Sequence, residues 1–264
     1  MKQEINPKDT NRAQAFELWM KSPMPMVTLI KTFDVTRLYK TSRRRGMKFN
    51  MLLCWCIGKA ASQIEEFYLL SAQGKLFKYD RMAINVIVNN KDGGISNCDV
   101  PFCDDLQQFK SRYDALTQKT SATCQDINDD DAVIVGTSAV MCTELDGIVN
   151  QYSGIFNNPF LAWGRYKRHW LKTTLPISFQ FHHAQMDGKQ ATRFLEELQQ
   201  TINRTRYIRN GASGTPRSRQ KPSWWLKKHK NDIKGARGRS RFRAFFLLLQ
   251  LKTKHKGTTP KCLV

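Results

Sequence analysis

The segment ISFQFHHAQMDGKQATRFLEELQQTI, residues 177–202, contains a strand pattern, a histidine motif and a helix pattern in succession. Its first part alternates apolar Ile177, Phe179 and Phe181 with polar residues, which predicts a half-buried β-strand. Its last part, ATRFLEELQQTI, has apolar residues three and four positions apart, which predicts an amphipathic helix. Between them lies HHAQMDG, so the sequence predicts a strand, a tight turn at Gly188, and a helix that packs back on the strand.

The two adjacent histidines at the end of this strand indicate a chemical role. By the strand period, His183 falls on the face of the phenylalanines and His182 on the polar face. Partial burial favours the neutral imidazole that a general base requires. A single histidine in a strand is usually a structural residue. Here His-His and Asp-Gly occur together at fixed spacing, which is rare by chance.

The rest of the chain predicts a mixture of helices and strands without a strict alternation. Helices are predicted at 10–20, 36–46, 49–64 and 104–119, and strands at 26–35, 75–80, 82–90 and 132–141. The clearest helix is 49–64, where apolar residues follow the helical period through four turns. This combination favours an α+β fold in which a mixed β-sheet is flanked by helices.

The net charge of +21 is concentrated at the C-terminal end of the chain. Up to Tyr207 there are 27 Lys and Arg against 21 Asp and Glu, whereas from Ile208 onward there are 16 against Asp232 alone. We therefore divide the chain into a main domain, 1–207, and a basic extension, 208–264. The basic and aromatic runs of the extension could bind nucleic acid or an anionic membrane surface. A disordered, solvated segment is the simpler interpretation.

The cysteines and the N-terminus indicate the compartment. Seven cysteines, an odd number without a CxxC pair, predict free thiols in a reducing compartment. The N-terminal segment has no apolar core of a secretory signal, so we expect a cytoplasmic protein. The acidic stretch DINDDD, 126–131, lacks EF-hand spacing and is interpreted as a solvated loop, so no metal is expected.

The motif HHAQMDG fits the pattern HHxxxDG, and in this the chain resembles the CoA-dependent acyltransferases. These include the chloramphenicol acetyltransferases and the catalytic domains of dihydrolipoyl acyltransferases. The segment LPISFQFHHAQMDGKQATRFLEELQQ is similar to the last strand, turn and helix of the first group. NPFLAWGRYKRH, TNRAQAFELW and GMKFN resemble further segments of it. The resemblance covers residues 5–205 and implies a chloramphenicol acetyltransferase-like fold.

The resemblance implies that His183 is the general base of an acetyl transfer. His183 would remove the proton of a substrate hydroxyl, which then attacks the thioester carbonyl of acetyl-CoA directly. Asp187 would pair with Arg12 of the opening helix and hold the site in shape. From composition and period alone, Arg12 would be an ordinary solvated helix residue.

Three further residues take roles by the same resemblance. Ser138 aligns with the serine that donates a hydrogen bond to the oxyanion formed on acetyl-CoA. Arg165 and Tyr166 match positions that lie near the CoA nucleotide in the family. Taken alone, Ser138 is a plain strand serine, and a basic-aromatic pair such as Arg165 and Tyr166 is common on any surface.

The chain departs from the family pattern at three places. Met141 and Cys142 stand where the family usually has Pro-Trp, and Ala162 stands where a threonine commonly assists the intermediate. KSPMPM, 21–26, replaces a stretch that shapes one wall of the acceptor pocket. The acceptor therefore stays open between chloramphenicol and another molecule with a hydroxyl or thiol group.

The resemblance also implies a homotrimer in which each active site lies at a subunit boundary. The expected function is that of an acetyl-CoA-dependent O-acetyltransferase. The alternative, from another class, is a catalytically silent acyltransferase fold that tethers nucleic acid or a membrane surface through its basic extension.

Overall fold

The computed structural model describes residues 2–152 and 154–205. The α-helices in this part of the chain are α1 (Ala13–Trp19), α2 (Thr36–Arg45), α3 (Phe49–Ala61), α4 (Leu106–Thr123) and α5 (Gly188–Arg204). The strands are β1 (Lys2–Ile5), β2 (Met26–Asp34), β3 (Leu69–Ala72), β4 (Lys75–Tyr79), β5 (Met82–Asn89), β6 (Ile95–Pro101), β7 (Val133–Ala139), β8 (Phe160–Trp163), β9 (Lys167–Arg168) and β10 (Thr173–His182).

A seven-stranded mixed sheet forms the centre of the fold. Its strand order is β2-β10-β8-β7-β5-β6, and β9 also pairs with β10. Strand β10 is antiparallel to β2, β8 and β9, while β7 is parallel to both β8 and β5. A second, antiparallel sheet has the order β1-β4-β3. The predicted α+β fold with a mixed sheet and flanking helices is confirmed.

Strand β10 is buried on both faces. The ring of Phe179 packs against that of Phe194 of α5, with centroids 4.7 Å apart and planes tilted by 50°, so the apolar face lies under that helix. On the other face, the hydroxyl of Ser178 accepts a hydrogen bond from the main-chain N–H of Ile148, and the side chain of Gln180 donates to the oxygen of Asn150. The prediction of a half-buried strand is therefore wrong, because the segment around 148–150 covers the polar face.

Helix α3 is also more deeply buried than its sequence pattern predicts. Ten of its residues are buried, including the sulfur-bearing Cys54 and Cys56. The helix contacts α2, α4 and α5 in addition to strands β5 and β7, so neighbours surround it on several sides. Burial raises the pKa of the Cys54 thiol to about 12, so this thiol stays protonated at neutral pH.

The sequence did not predict five of the strands, namely β1, β3, β6, β8 and β9. Helix α4 runs to Thr123, beyond the predicted end, and closes at Cys124 in the left-handed conformation. The predicted basic extension, 208–264, lies outside the described residues. Within the described part, no helix is long and apolar enough to cross a membrane.

Candidate active site

The HHAQMDG turn joins the end of β10 to the start of α5, and Arg12 of the opening segment holds it in place. The guanidinium of Arg12 donates to the main-chain oxygens of His183 and Ala184, at 2.7 and 3.2 Å. It also contacts both carboxylate oxygens of Asp187, one of them at 2.9 Å. Arg12 is only 3% exposed, so the structure buries a residue that composition and period alone would place on the surface.

Asp187 is charged and placed by this contact. The hydrogen bond from Arg12 is the main cause that lowers the pKa of the Asp187 carboxyl below its ordinary value. Asp187 also occupies the N-cap of α5, where its N–H donates to the side-chain oxygen of Gln190 at 3.1 Å. The pair of Arg12 and Asp187, predicted as the scaffold of the site, is present in the structure.

His183 lies one residue beyond the end of β10, so the strand period no longer fixes its direction. Its N–H donates to the oxygen of Pro25 at 2.8 Å, which fixes its main chain. Its ring stacks on Trp19 with centroids 4.3 Å apart and planes 5° apart. Nδ1 lies 3.1 Å from an oxygen of Asp187, within ion-pair distance but without the geometry of a hydrogen bond.

The accessible nitrogen of His183 follows from this arrangement. Its Nδ1 atom is buried, whereas the side chain as a whole keeps 27% of its exposure. The nitrogen left for an incoming substrate is therefore Nε2. A ring that is stacked on one face, buried at Nδ1 and open at Nε2 suits a group that takes and returns a proton at one place.

His182, the first histidine of the motif, has a structural role. It is 1% exposed, and its Nδ1 accepts the main-chain N–H of Ala184 at 3.0 Å. Burial, followed by the nearby His183, lowers the pKa of His182 to about 4. His182 is thus neutral at physiological pH and stabilises the turn by accepting a hydrogen bond.

Gly188 does not form the tight turn that the sequence predicts. Its backbone φ lies outside the left-handed region, and no atom lies within 4 Å of the position that a Cβ would occupy. It is the first residue of α5. The prediction for Gly188 is wrong, because the turn is made by residues 183–187 and held by Arg12.

The other predicted site residues form a second group at a different end of the sheet. Ser138 of β7 lies beside Ala162 of β8, which lies beside Ser178 of β10. The N–H of Arg165 donates to the oxygen of Thr143 at 2.7 Å, which ties the segment after Ser138 to the segment after β8. This close approach leaves no room for a side chain at position 164, where a Cβ on Gly164 would lie 2.9 Å from main-chain atoms.

Tyr166 and Arg165 differ in their surroundings. The ring of Tyr166 packs against Tyr39 of α2 and Phe49 of α3, with centroids 5.3 and 5.0 Å apart. Tyr166 is half-buried and Arg165 is exposed. Tyr166 is therefore held in position by packing, while the side chain of Arg165 extends into solvent.

The two groups do not meet within one chain. Ser138 lies two strands away from Ser178, and His183 follows Ser178 by five residues along β10. At about 3.3 Å per residue and about 4.8 Å per strand, Ser138 and His183 are roughly 19 Å apart. Hydrogen bonds from both residues to one small intermediate require a much shorter distance.

The departures from the family pattern lie in this second group. Ala162 is buried between Ser138 and Ser178, and Met141 is 36% exposed in the loop after β7. Five cysteines are free thiols in the described part of the chain, namely Cys54, Cys56, Cys98, Cys103 and Cys124. Among the described residues, no group of three or more His, Cys, Asp or Glu side chains is arranged to hold a metal ion.

Sequence reasoning missed the role of Trp19. By the helical period, Trp19 lies on the same face of the opening helix as Phe16 and Met20, where a core contact is the ordinary expectation. The available signal was its position seven residues after Arg12, two helical turns away on the same helix face. A residue at that spacing from the arginine that holds the turn lies close to the same turn.

The strand, the HHxxxDG turn and the helix on a mixed sheet define the CoA-dependent acyltransferase fold. A family model described as chloramphenicol acetyltransferase matches residues 3–199. The chain belongs to the chloramphenicol acetyltransferase family and is an acyltransferase enzyme, as the sequence predicted.

Individual relatives agree with this assignment. The chain is 25% identical to a chloramphenicol acetyltransferase of Clostridium perfringens over 76% of this chain and 98% of the relative. It is 23% identical to chloramphenicol acetyltransferase 2 of Escherichia coli over 72% of this chain and 91% of the relative.

Two solved structures show the same fold. A chloramphenicol acetyltransferase superposes with a TM-score of 0.66 and 18% identity, covering 76% of this chain and all of the other. The dihydrolipoamide acetyltransferase of Azotobacter vinelandii superposes with a TM-score of 0.55 and 18% identity, covering 76% of this chain and 89% of the other.

Proposed function

We propose that the protein transfers the acetyl group of acetyl-CoA directly to a hydroxyl group, with His183 as the general base. The observation that carries this proposal is the fixed environment of His183. Its ring is stacked on Trp19, its main chain is held by Arg12, and only Nε2 is open to a substrate. A general base requires this kind of fixed, one-sided access.

The reaction uses Nε2 of His183 twice. Nε2 takes the proton of the acceptor hydroxyl as its oxygen attacks the thioester carbonyl carbon of acetyl-CoA. The carbonyl π bond opens to give a tetrahedral intermediate with a negatively charged oxygen. This intermediate collapses by breaking the carbon–sulfur bond, and the CoA thiolate receives the proton from His183. No group on the protein is acetylated, and no metal takes part.

We propose further that Ser138 donates a hydrogen bond to the charged oxygen across a boundary between two copies of the chain. The separation of roughly 19 Å within one chain supports this arrangement, because a single copy cannot place both residues on one intermediate. A closed ring of copies, such as a homotrimer, repeats the same contact at each boundary. Arg165 and Tyr166, at the Ser138 end of the sheet, then lie where the CoA nucleotide is expected.

The acceptor is a small molecule with a hydroxyl group and an apolar body. Leu18 and Met24 are 62% and 63% exposed, and each is adjacent in sequence to a residue that contacts His183, namely Trp19 and Pro25. We propose that these two side chains line the acceptor site, which favours an acceptor that buries an apolar surface. Chloramphenicol, which appears in the names of the similar proteins, is the first acceptor to test.

The test is the release of CoA from acetyl-CoA by the purified full chain, with and without chloramphenicol. We expect release that depends on chloramphenicol and falls by at least about a thousandfold in His183→Ala. CoA release with another hydroxyl acceptor, but not with chloramphenicol, would leave His183 as the base and identify a different acceptor. The proposed function would be contradicted if the protein binds acetyl-CoA but releases no CoA with any acceptor, and if the His183→Ala variant behaves in the same way.

A further inference from the structure

Trp170 and Leu171 form the exposed tip of a β-hairpin. They are 98% and 80% exposed, more than any other large apolar residue described. The hairpin joins β9 to β10, and the N–H of His169 donates to the oxygen of Lys172 at 2.8 Å. This bond closes a two-residue turn, so both apolar side chains protrude from the end of the hairpin.

Cationic side chains surround this tip. Between residues 147 and 186 the sequence contains no Asp or Glu, and its four Lys and Arg all fall within 165–172. They are Arg165, Lys167, Arg168 and Lys172. A pair of apolar residues with cations on both sides is not what a solvated turn requires, since turns usually carry small polar residues.

The cations differ in how far nearby carboxylates neutralise them. Lys167 pairs with Asp146 at 2.6 Å, on one side of the hairpin. Lys172 lies close enough to Asp34 to help lower the pKa of that carboxyl, without a direct ion pair between the two side chains. The guanidinium of Arg168 lies over the ring of Tyr39, 5.1 Å from its centroid, which orients it and leaves its charge in place. Helix α2, to which Tyr39 belongs, adds the exposed Arg43 and Arg44.

We propose that the tip of Trp170 and Leu171 inserts into the headgroup region of an anionic lipid bilayer. The indole of a tryptophan is favoured at the boundary between lipid and water, because its ring is apolar and its N–H is polar. Lys172 and Arg168, just behind the tip, would meet the lipid phosphates. A protruding tip can insert without a matching groove in its partner. A bilayer surface has no such groove, so it suits this kind of contact.

The insertion is shallow and depends on charge. Two side chains bury little apolar area, so binding to a neutral bilayer is expected to be weak. Each cation near an anionic surface increases binding by about fivefold, and salt screens this contribution. The interaction therefore requires both the apolar tip and anionic lipid.

The first experiment is sedimentation of the full chain with vesicles of phosphatidylcholine, alone or with phosphatidylglycerol. We expect binding to the anionic vesicles, lowered about tenfold by the double substitution Trp170→Ser and Leu171→Ser. Lys172→Glu should lower binding by fivefold or more. Lys119→Glu is the matched control, because it makes the same charge change at an exposed position on α4. The basic extension is present in every variant, and the thermal midpoint checks that each one is folded.

A second measurement locates the tip itself. Vesicles with brominated phosphatidylcholine quench tryptophans that reach the lipid. The difference between the unchanged protein and Trp170→Phe isolates the quenching of Trp170 from that of the other tryptophans. Quenching of this component supports the proposal. If Trp170 is not quenched, or if Lys172→Glu and Lys119→Glu lower binding equally, the proposal is overturned. A change in oligomeric state caused by the double substitution, without a change in vesicle binding, would instead identify the tip as a protein contact.

Discussion

Arg12 and Asp187 are 175 residues apart in the sequence, and their side chains form a two-point ion pair. The same guanidinium bonds the main-chain oxygen of His183. The opening segment of the domain thus fixes the turn that carries the proposed base. The orientation of His183 depends on a contact that neither the turn nor the strand before it can supply.

Asp187→Asn removes the charge that balances the buried guanidinium of Arg12. We expect the free energy of unfolding to fall by about 1–2 kcal/mol, because the buried guanidinium of Arg12 loses its charged partner, while solvent at the half-exposed Asp187 screens part of the effect. Asp105→Asn is the matched control, since Asp105 also caps a helix but has no such partner, and Asn caps equally well. Urea unfolding measures both variants. Equal, small losses in the two variants would show that the pair with Arg12 does not stabilise the fold.

Trp19→Ala removes the ring on which His183 stacks, so the imidazole can leave its position. We expect kcat/KM for acetyl transfer to fall by about tenfold, the size of a lost stacking contact. Trp19→Phe keeps a flat ring and should recover most of this loss. If Trp19 has only a structural role, Trp19→Ala lowers the thermal midpoint. In that case kcat/KM, measured at a temperature where the variant is folded, stays unchanged.

Acid should destabilise the domain through His182. The pKa of this side chain is near 4 in the folded state and ordinarily 6.5, so the unfolded chain binds the proton more tightly. Stability is therefore complete above pH 6.5 and falls as the pH drops toward 4, by up to about 3 kcal/mol. His182→Asn keeps an acceptor for the N–H of Ala184 and should flatten this dependence. Unfolding curves at several pH values between 4 and 7 give the comparison, and parallel curves for both proteins would exclude His182 as the cause.

Substitution by alanine should have opposite effects on folding stability at Gly164 and Gly188. Gly164→Ala places a Cβ 2.9 Å from main-chain atoms of Thr143 and Leu145, which should cost about 1–3 kcal/mol of folding free energy. Gly188→Ala meets no atom within 4 Å at the start of a helix, and should leave stability unchanged or raise it slightly. Thermal unfolding of both variants tests the pair. A large loss in Gly188→Ala would mean that the close approach lies at the motif glycine instead.

Much of the fold can be predicted from local patterns. The strand of 26–35, the helix of 49–64 and the unit of 177–202 carry strong periodicity, and the structure contains all three. Strand β6 was missed because its residues ISNCDVP do not alternate in polarity. Its buried Asp99 is tolerated because Asn85 and the N–H of Asp129 donate to it, which are contacts made through tertiary structure.

The site was predictable only in part. The spacing of HHAQMDG indicates a base and its turn, but nothing local distinguishes Arg12 from a solvated residue or Trp19 from a core residue. Both roles arise from contacts between residues that are more than 160 positions apart in the sequence. Strand period also fails for His183, because the strand ends at His182.

In the proposed reaction, His183 of one copy acts together with Ser138 of another. We would mix His183→Ala and Ser138→Ala chains, unfold and refold them together, and measure CoA release. Neither chain has both residues, so sites formed within one chain stay inactive. In mixed trimers, one boundary of three joins the intact His183 to the intact Ser138, and activity should return to about one quarter of the unchanged protein. If trimers form but no activity returns after mixing, His183 and Ser138 do not act across a boundary between copies.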